Sequence, residues 1–187
     1  MSNENKNAAT QAVAALLDAL GRSVSTDAQV TDTPERFAEL LLDRFVPRPR
    51  TELKALPTED GICGPILIRD IAFHAFCAHH IVPFFGVVHI AYMPKDVLAG
   101  FGAFPRLVDE LSRGPQLQER LAAQIADAIA KDLRAEGVLV SIEARQMCME
   151  LTGACAHSNT VVVAARGVYN TPEAHSLASE LFGSRRV

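Results

Sequence analysis

From Ile66 to His74 the residues of this chain alternate between two faces, and between Leu117 and Leu133 the apolar ones recur at every fourth position. A period of two belongs to a half-buried strand, and a period near 3.6 to an amphipathic helix. The two periods alternate along the chain in pairs, and that order restricts the fold more than any other feature. Val13, Leu16, Leu17 and Leu20 predict a helix over about Thr10 to Leu20, ended by Gly21. Asp32-Thr33-Pro34 opens a second helix, with Phe37, Leu40, Leu41 and Phe45 on its apolar face and Pro47 and Pro49 as its stop. Lys54 to Pro65, with Pro57, Gly61 and Gly64, reads as a loop. From Ile66 a strand places Ile66, Ile68, Asp70, Ala72 and His74 on one face and Leu67, Arg69, Ile71 and Phe73 on the other. Past Pro83 and Gly86, the β-branched and aromatic run Val87 to Met93 completes a hairpin with an unusual loop.

A short helix follows over Phe104 to Leu111. Gly114-Pro115 then opens a long one whose stripe is Leu117, Leu121, Ile125, Ile129 and Leu133, with Gly137 just past its end. Strands are predicted over Val138 to Met149 and Thr160 to Gly167, and a last short helix from Thr171-Pro172 onward. Paired strands between paired helices indicate an α+β fold with an antiparallel sheet. Residues 1–50 are expected to form a helical arm, 51–170 the main domain, and 171–187 a tail.

Apolar residues make up 49% of the 187, enough for a core without disulfides. The net charge of −4 argues against a nucleic-acid binder, which carries a basic stripe. The polar opening MSNENKNAAT lacks the apolar run of a signal peptide, and no apolar run is long enough to span a membrane. The expectation is a cytoplasmic protein without membrane partners. In that setting Cys63, Cys77, Cys148 and Cys155 point to metal binding or simple burial.

The densest chemistry lies in AFCAHHIVPFFG, Ala75 to Gly86. Cys77 and His80 are three positions apart at the end of a strand, and in a tight turn a thiolate and an imidazole at that spacing face one point. Zinc takes such ligands, and a catalytic zinc has three protein ligands and an open position. Cys148 is the candidate third ligand, provided the sheet returns it beside Cys77. The alternative is that both cysteines are small buried hydrophobes and His79 and His80 are hydrogen-bonded loop residues. Spacing alone leaves both readings open. His74 and His89 are expected to be packed or hydrogen-bonded, and Cys63 to be a bystander.

The stretches RDIAFHAFCAHHIVPFFGVVHIAYMPKD, GPQLQERLAAQIADAI and VSIEARQMCM, in that order, resemble GTP cyclohydrolase I, and DTPERFAELL resembles that family's N-terminal helix. The resemblance runs from about Thr31 to Gly167. It implies the T-fold (tunnelling fold), a four-stranded antiparallel sheet with two long helices plus N-terminal helices, with subunits closing into a barrel, commonly a decamer, and active sites between them. It implies zinc held by Cys77, His80 and Cys148, and a proton-donating role for His79. Gln118 and Glu119 match the pair that anchors the purine ring; a carboxylate accepts two hydrogen bonds from a guanine edge. Arg36 and Arg106 match phosphate-contacting arginines.

Several positions depart from the family pattern. Ala78 stands where the family has glutamate, Gly102-Ala103 where it has Ser-Lys, and Thr152 where it has a phosphate-binding arginine. Gln146 replaces the histidine that protonates the ribose, and glutamine does no acid–base work at neutral pH. Arg145 and Arg166 are candidate substitutes for the missing phosphate contacts. The expected function is therefore a zinc-dependent cyclohydrolase-like enzyme. It would attack a guanine-like or other nitrogen heterocycle without a triphosphate, in specialised metabolism, with Gln146 as a further binding residue. The alternatives are GTP cyclohydrolase I itself, making dihydroneopterin triphosphate, and a non-catalytic heterocycle-binding paralogue whose zinc takes a fourth ligand from Cys155 or His157.

Overall fold

The computed structural model describes residues 3–22, 24–58, 64–152 and 159–183. They fall into two compact units, Met1–Val46 and Pro47–Val187. The first unit pairs α1 (Asn3–Ala19) with α2 (Thr33–Phe45), with Val13 and Ala38 buried. Helix α1 begins well before the predicted start at Thr10, and Lys6 on its added turns bridges Glu35 and Glu39 of α2 at 2.8 and 2.7 Å. Asp32 precedes α2 but does not cap it; its carboxylate accepts from Arg36 at 3.0 Å.

The second unit is an α+β assembly. Its elements are β1 (Leu56–Pro57), β2 (Ile66–Cys77), β3 (Pro83–Met93), β4 (Val97–Leu98), α3 (Ala103–Leu111), β5 (Pro115–Gln116), α4 (Gln118–Leu133), β6 (Gly137–Gln146), α5 (Met147–Leu151), β7 (Asn159–Gly167) and α6 (Ala174–Phe182). Strands β2, β3, β6 and β7 form the antiparallel set, and the two-residue β5 adds a parallel edge to give the order β5-β2-β3-β6-β7. A second, two-stranded sheet pairs β1 with β4. The expected two long helices are one long helix, α4, and a nine-residue α3. Gly114-Pro115 does not open α4: Pro115 pairs with Phe76, and the helix starts only at Gln118.

Helices α3 and α4 cover one face of the sheet. Leu121, Ile125, Ile129 and Leu133 are fully buried there against Val88, Ile90, Tyr92, Val140 and Ile142. Helix α6 covers part of the other face, with Ala178 and Phe182 beside Ala91, Leu139 and Tyr169. The end of α4 is set by Arg134 in a left-handed conformation, φ 47°. Gly137 opens β6 instead, at a point where a Cβ would meet Val168 at 2.6 Å. No helix among the described residues is long and apolar enough to cross a membrane.

One irregularity positions the chemistry. The β2–β3 register slips between Ile68 and Ile71, and Asp70 there has φ 58°. A bulge inserts one residue and so exchanges the faces of everything after it. Before it, Ile66 and Ile68 face the core; after it, Ile71, Phe73, Ala75 and Cys77 do. The strict alternation expected from the sequence would have kept His74 with Ile66 and turned Cys77 outward. The exposed amide of the bulge is used as well: Asp70 N–H donates to Nδ1 of the buried His89 at 3.1 Å.

Candidate active site

Cys77 closes β2 and is 6% exposed. The chain reverses immediately, with Cys77 N–H donating to Val82 O and Ile81 N–H to Cys77 O, both at 2.9 Å. Ile81 sits at φ 55°, a conformation a β-branched residue rarely adopts. This turn carries the exposed His79 and His80. Cys77 also pairs in parallel with Gln116, whose carbonyl accepts from Ala78 N–H at 2.9 Å.

Cys148 approaches from the other side. It lies in the single-turn helix α5 rather than in the strand predicted to reach Met149, because β6 ends at Gln146. Gln146 is paired with Phe84 at the start of β3, so the ends of β2 and β6 flank the same end of β3. Gly86 permits this crossing, since a Cβ there would collide with the backbone of Glu143 and Ala144. One donor atom from each of Cys77, His80 and Cys148 lies within 4.8 Å of the others. Ligands of a tetrahedral zinc with bonds of about 2.0–2.3 Å are separated by roughly 3.5–3.8 Å, so the trio fits zinc after a small contraction on the side of the exposed His80. Two thiolates and an imidazole suit zinc and not magnesium or calcium. Burial, and then the adjacent Cys77, push the Cys148 thiol above its ordinary pKa. A bound cation reverses that balance by favouring both thiolates.

A cavity of about 240 Å³ opens beside the trio, lined in part by Cys77, His79, Gln118, Glu119, Gln146 and Cys148. His79 Nδ1 is 3.9 Å from Cys77 Sγ. Glu119, in the first turn of α4, is exposed and has no hydrogen-bond partner among the described residues. Gln118 is different. Its Nε2 donates to Ile142 O and Thr160 O at 2.8 and 3.0 Å, and its Oε1 accepts from Gln146 Nε2 and Thr160 Oγ1 at 2.8 and 2.6 Å. All four positions of that amide are taken, so its side chain holds the wall and has nothing left to offer a ligand.

Arg106, Arg145, Thr152 and Arg166 are not among the residues that line the cavity. Arg106 is exposed on α3, and Arg36 belongs to the other compact unit, paired to Asp32. Arg145 is bound through Nε and Nη2 to Glu150 and lies 5.7 Å over the Phe85 ring, and Arg166 is bound to Asp127 at 2.6 Å, so neither is an idle cation. Thr152 Oγ1 donates to Cys148 O and ends α5. Cys63, Cys155 and His157 lie outside the described residues. The sequence reading missed Thr160 and Gln116, which lock Gln118 and join Leu111 to Gln124 respectively. Only the polar start of β7 and the glutamine-rich PQLQER stretch hinted at either.

The family model for GTP cyclohydrolase I matches residues 9–182. GTP cyclohydrolase 1 of Streptococcus pyogenes is 40% identical over 170 residues, covering 88% of this chain and 87% of that protein. GTP cyclohydrolase 1 of Clostridioides difficile strain 630 is 38% identical over 174 residues, covering 90% and 91%. The solved apo structure of the archaeosine synthase QueF-Like covers 57% of this chain and 97% of its own, with a TM-score of 0.48 and 16% identity.

Proposed function

The chain belongs to the GTP cyclohydrolase I family, and from that premise we propose that it opens the imidazole ring of GTP by hydrolysis. The observation that carries this reading is the convergence of Cys77, His80 and Cys148 beside a cavity that His79 and Glu119 also line. The relatives, matched over nearly their whole length, favour GTP over the phosphate-free heterocycle expected first.

Cys77, His80 and Cys148 would hold zinc, which supplies Lewis acidity and makes water nucleophilic near neutral pH. Ring opening consumes one water: hydroxyl adds to the carbon between the ring nitrogens as the sugar-free nitrogen gains a proton, and the bond from that carbon to the sugar-bearing nitrogen then breaks, leaving a formamide carbonyl and placing a proton on the departing nitrogen. His79 lies beside Cys77 and is the group placed to deliver that proton. Glu119 accepts two hydrogen bonds from the amino-lactam edge of guanine and so points the imidazole edge at the trio. Arg106 and Arg36 are the proposed phosphate contacts, reached between copies of the chain. The T-fold barrel is part of the same reading: among the described residues β7 is an edge strand of the sheet with Val161 53% exposed, and a neighbouring copy would pair with it.

Gln146 favours a second reading, in which the reaction stops at the ring-opened nucleotide. At that place the chain has no titratable group to drive the sugar rearrangement. One incubation separates the two. Zinc-loaded protein and GTP are followed by mass spectrometry and absorbance: dihydroneopterin triphosphate supports the full reaction, an accumulating opened nucleotide the truncated one, and unchanged GTP refutes both.

A further inference from the structure

The bonds around Gln146 fix which way its amide faces, and the order starts at the backbone. Gln118 is 4% exposed and donates from Nε2 to two carbonyl oxygens, Ile142 O at 2.8 Å and Thr160 O at 3.0 Å. Only the NH₂ end of an amide can do this. Its Oε1 must therefore face the other way, where it accepts from Thr160 Oγ1 at 2.6 Å and from Gln146 Nε2 at 2.8 Å. Gln146 is turned in consequence: Nε2 faces Gln118, and Oε1 faces Cys148, whose Sγ is 4.0 Å away. Beside Cys148 the cavity wall thus presents the Oε1 acceptor of Gln146, and the amide has no basic site to take up a proton.

Glu119 lines the same cavity. On the guanine reading above, a ring anchored there by its amino-lactam edge points its imidazole edge at the metal trio, and Gln146 lines the same cavity beside Cys148. In a closed nucleotide the imidazole nitrogen that bears no sugar carries a lone pair, and would meet Oε1 lone pair to lone pair. Once that nitrogen is protonated it is an N–H donor. We propose that Gln146 is a specificity-determining acceptor: its Oε1 takes a hydrogen bond from this ring N–H, so that the cavity selects guanine-type rings in the N-protonated or opened form over the closed form. The inference rests on the guanine reading above. A contact that is favourable only after protonation is differential binding of the kind that promotes ring opening.

The test is calorimetric titration of the zinc-loaded protein with two GTP analogues that are not hydrolysed. The 9-deaza analogue carries N–H at the position in question, and the 7-deaza analogue carries C–H. Wild type is expected to bind the 9-deaza compound about tenfold more tightly, the effect of one well-made hydrogen bond. Gln146→Leu is expected to bring the two within about twofold, by weakening the 9-deaza compound alone. Equal affinities in wild type overturn the proposal whatever the variant does. A preference that survives in Gln146→Leu assigns the contact to another group and overturns it too. If neither analogue binds, the guanine reading fails and takes this inference with it, whereas equal binding of both leaves that reading standing.

Discussion

At the residue scale, the division of labour between Gln118 and Glu119 is the sharpest result. The two are adjacent, match the same family pair, and have opposite fates. Gln118 is buried with its amide saturated, while Glu119 stands in the cavity with its carboxylate unengaged. Sequence grouped them because side-chain burial at a helix start depends on what packs over it, here the carbonyls of β6 and β7. Glu119→Gln is therefore expected to keep stability within about 0.5 kcal/mol. It should lower kcat/KM for GTP by roughly ten- to a hundredfold, because a charge-assisted pair of bonds is lost. Steady-state kinetics with thermal melting checks both halves. Cys77, His80 and Cys148 were visible as residue types with zinc-like character. Spacing alone left their meeting open, since it depends on strand order; the family resemblance is what grouped them.

At the level of elements, two devices hold the site in place. The first is the bulge at Asp70, which the alternating pattern concealed because apolar residues occupy both faces of β2. Deleting Asp70 restores strict alternation and turns Cys77 away from the core. The expected outcome is a protein that retains the helical content of α4 but loses zinc, read by circular dichroism and metal analysis; retained zinc would show that the turn alone orients Cys77. The second is the tether of the segment after Pro47 to α4. Arg50 binds both carboxylate oxygens of Asp132, which also accepts from Leu53 N–H at 2.9 Å. Burial alone would raise the Asp132 pKa, but the Arg50 and Leu53 bonds outweigh it and hold the carboxyl below its usual range. A depressed folded value contributes stability above the unfolded pKa of about 3.9, and that contribution is lost as pH falls through the folded value. Arg50→Ala leaves a buried carboxylate unpaired and is expected to cost on the order of 3 kcal/mol at neutral pH. The gap to wild type should narrow on acidification, as urea melts across pH would show. Long-range pairs of this kind leave no local signature in a sequence; the α+β class and the α4 stripe did, because both follow from periodicity.

For the whole molecule, one sheet end, one turn and one short helix bring Cys77, His80 and Cys148 together beside the cavity. The sheet order brings the ends of β2 and β6 to either side of β3, the bulge turns Cys77 inward, and the single turn of α5 presents Cys148 opposite. The fold class was legible because strands and helices alternate in pairs. The departures at Ala78, Ala103, Gln146 and Thr152 were also legible, yet their effect depends on neighbours the sequence does not display, such as the Gln118 relay. Metal stoichiometry tests the central claim most directly. Purified wild type should contain one zinc per chain, and Cys148→Ala, with its fold intact by circular dichroism, should contain almost none. Cobalt substitution of wild type should add thiolate-to-metal absorption in the near ultraviolet, which Cys148→Ala weakens. Zinc-free wild type that still opens GTP, or full zinc occupancy in Cys148→Ala, would contradict the account.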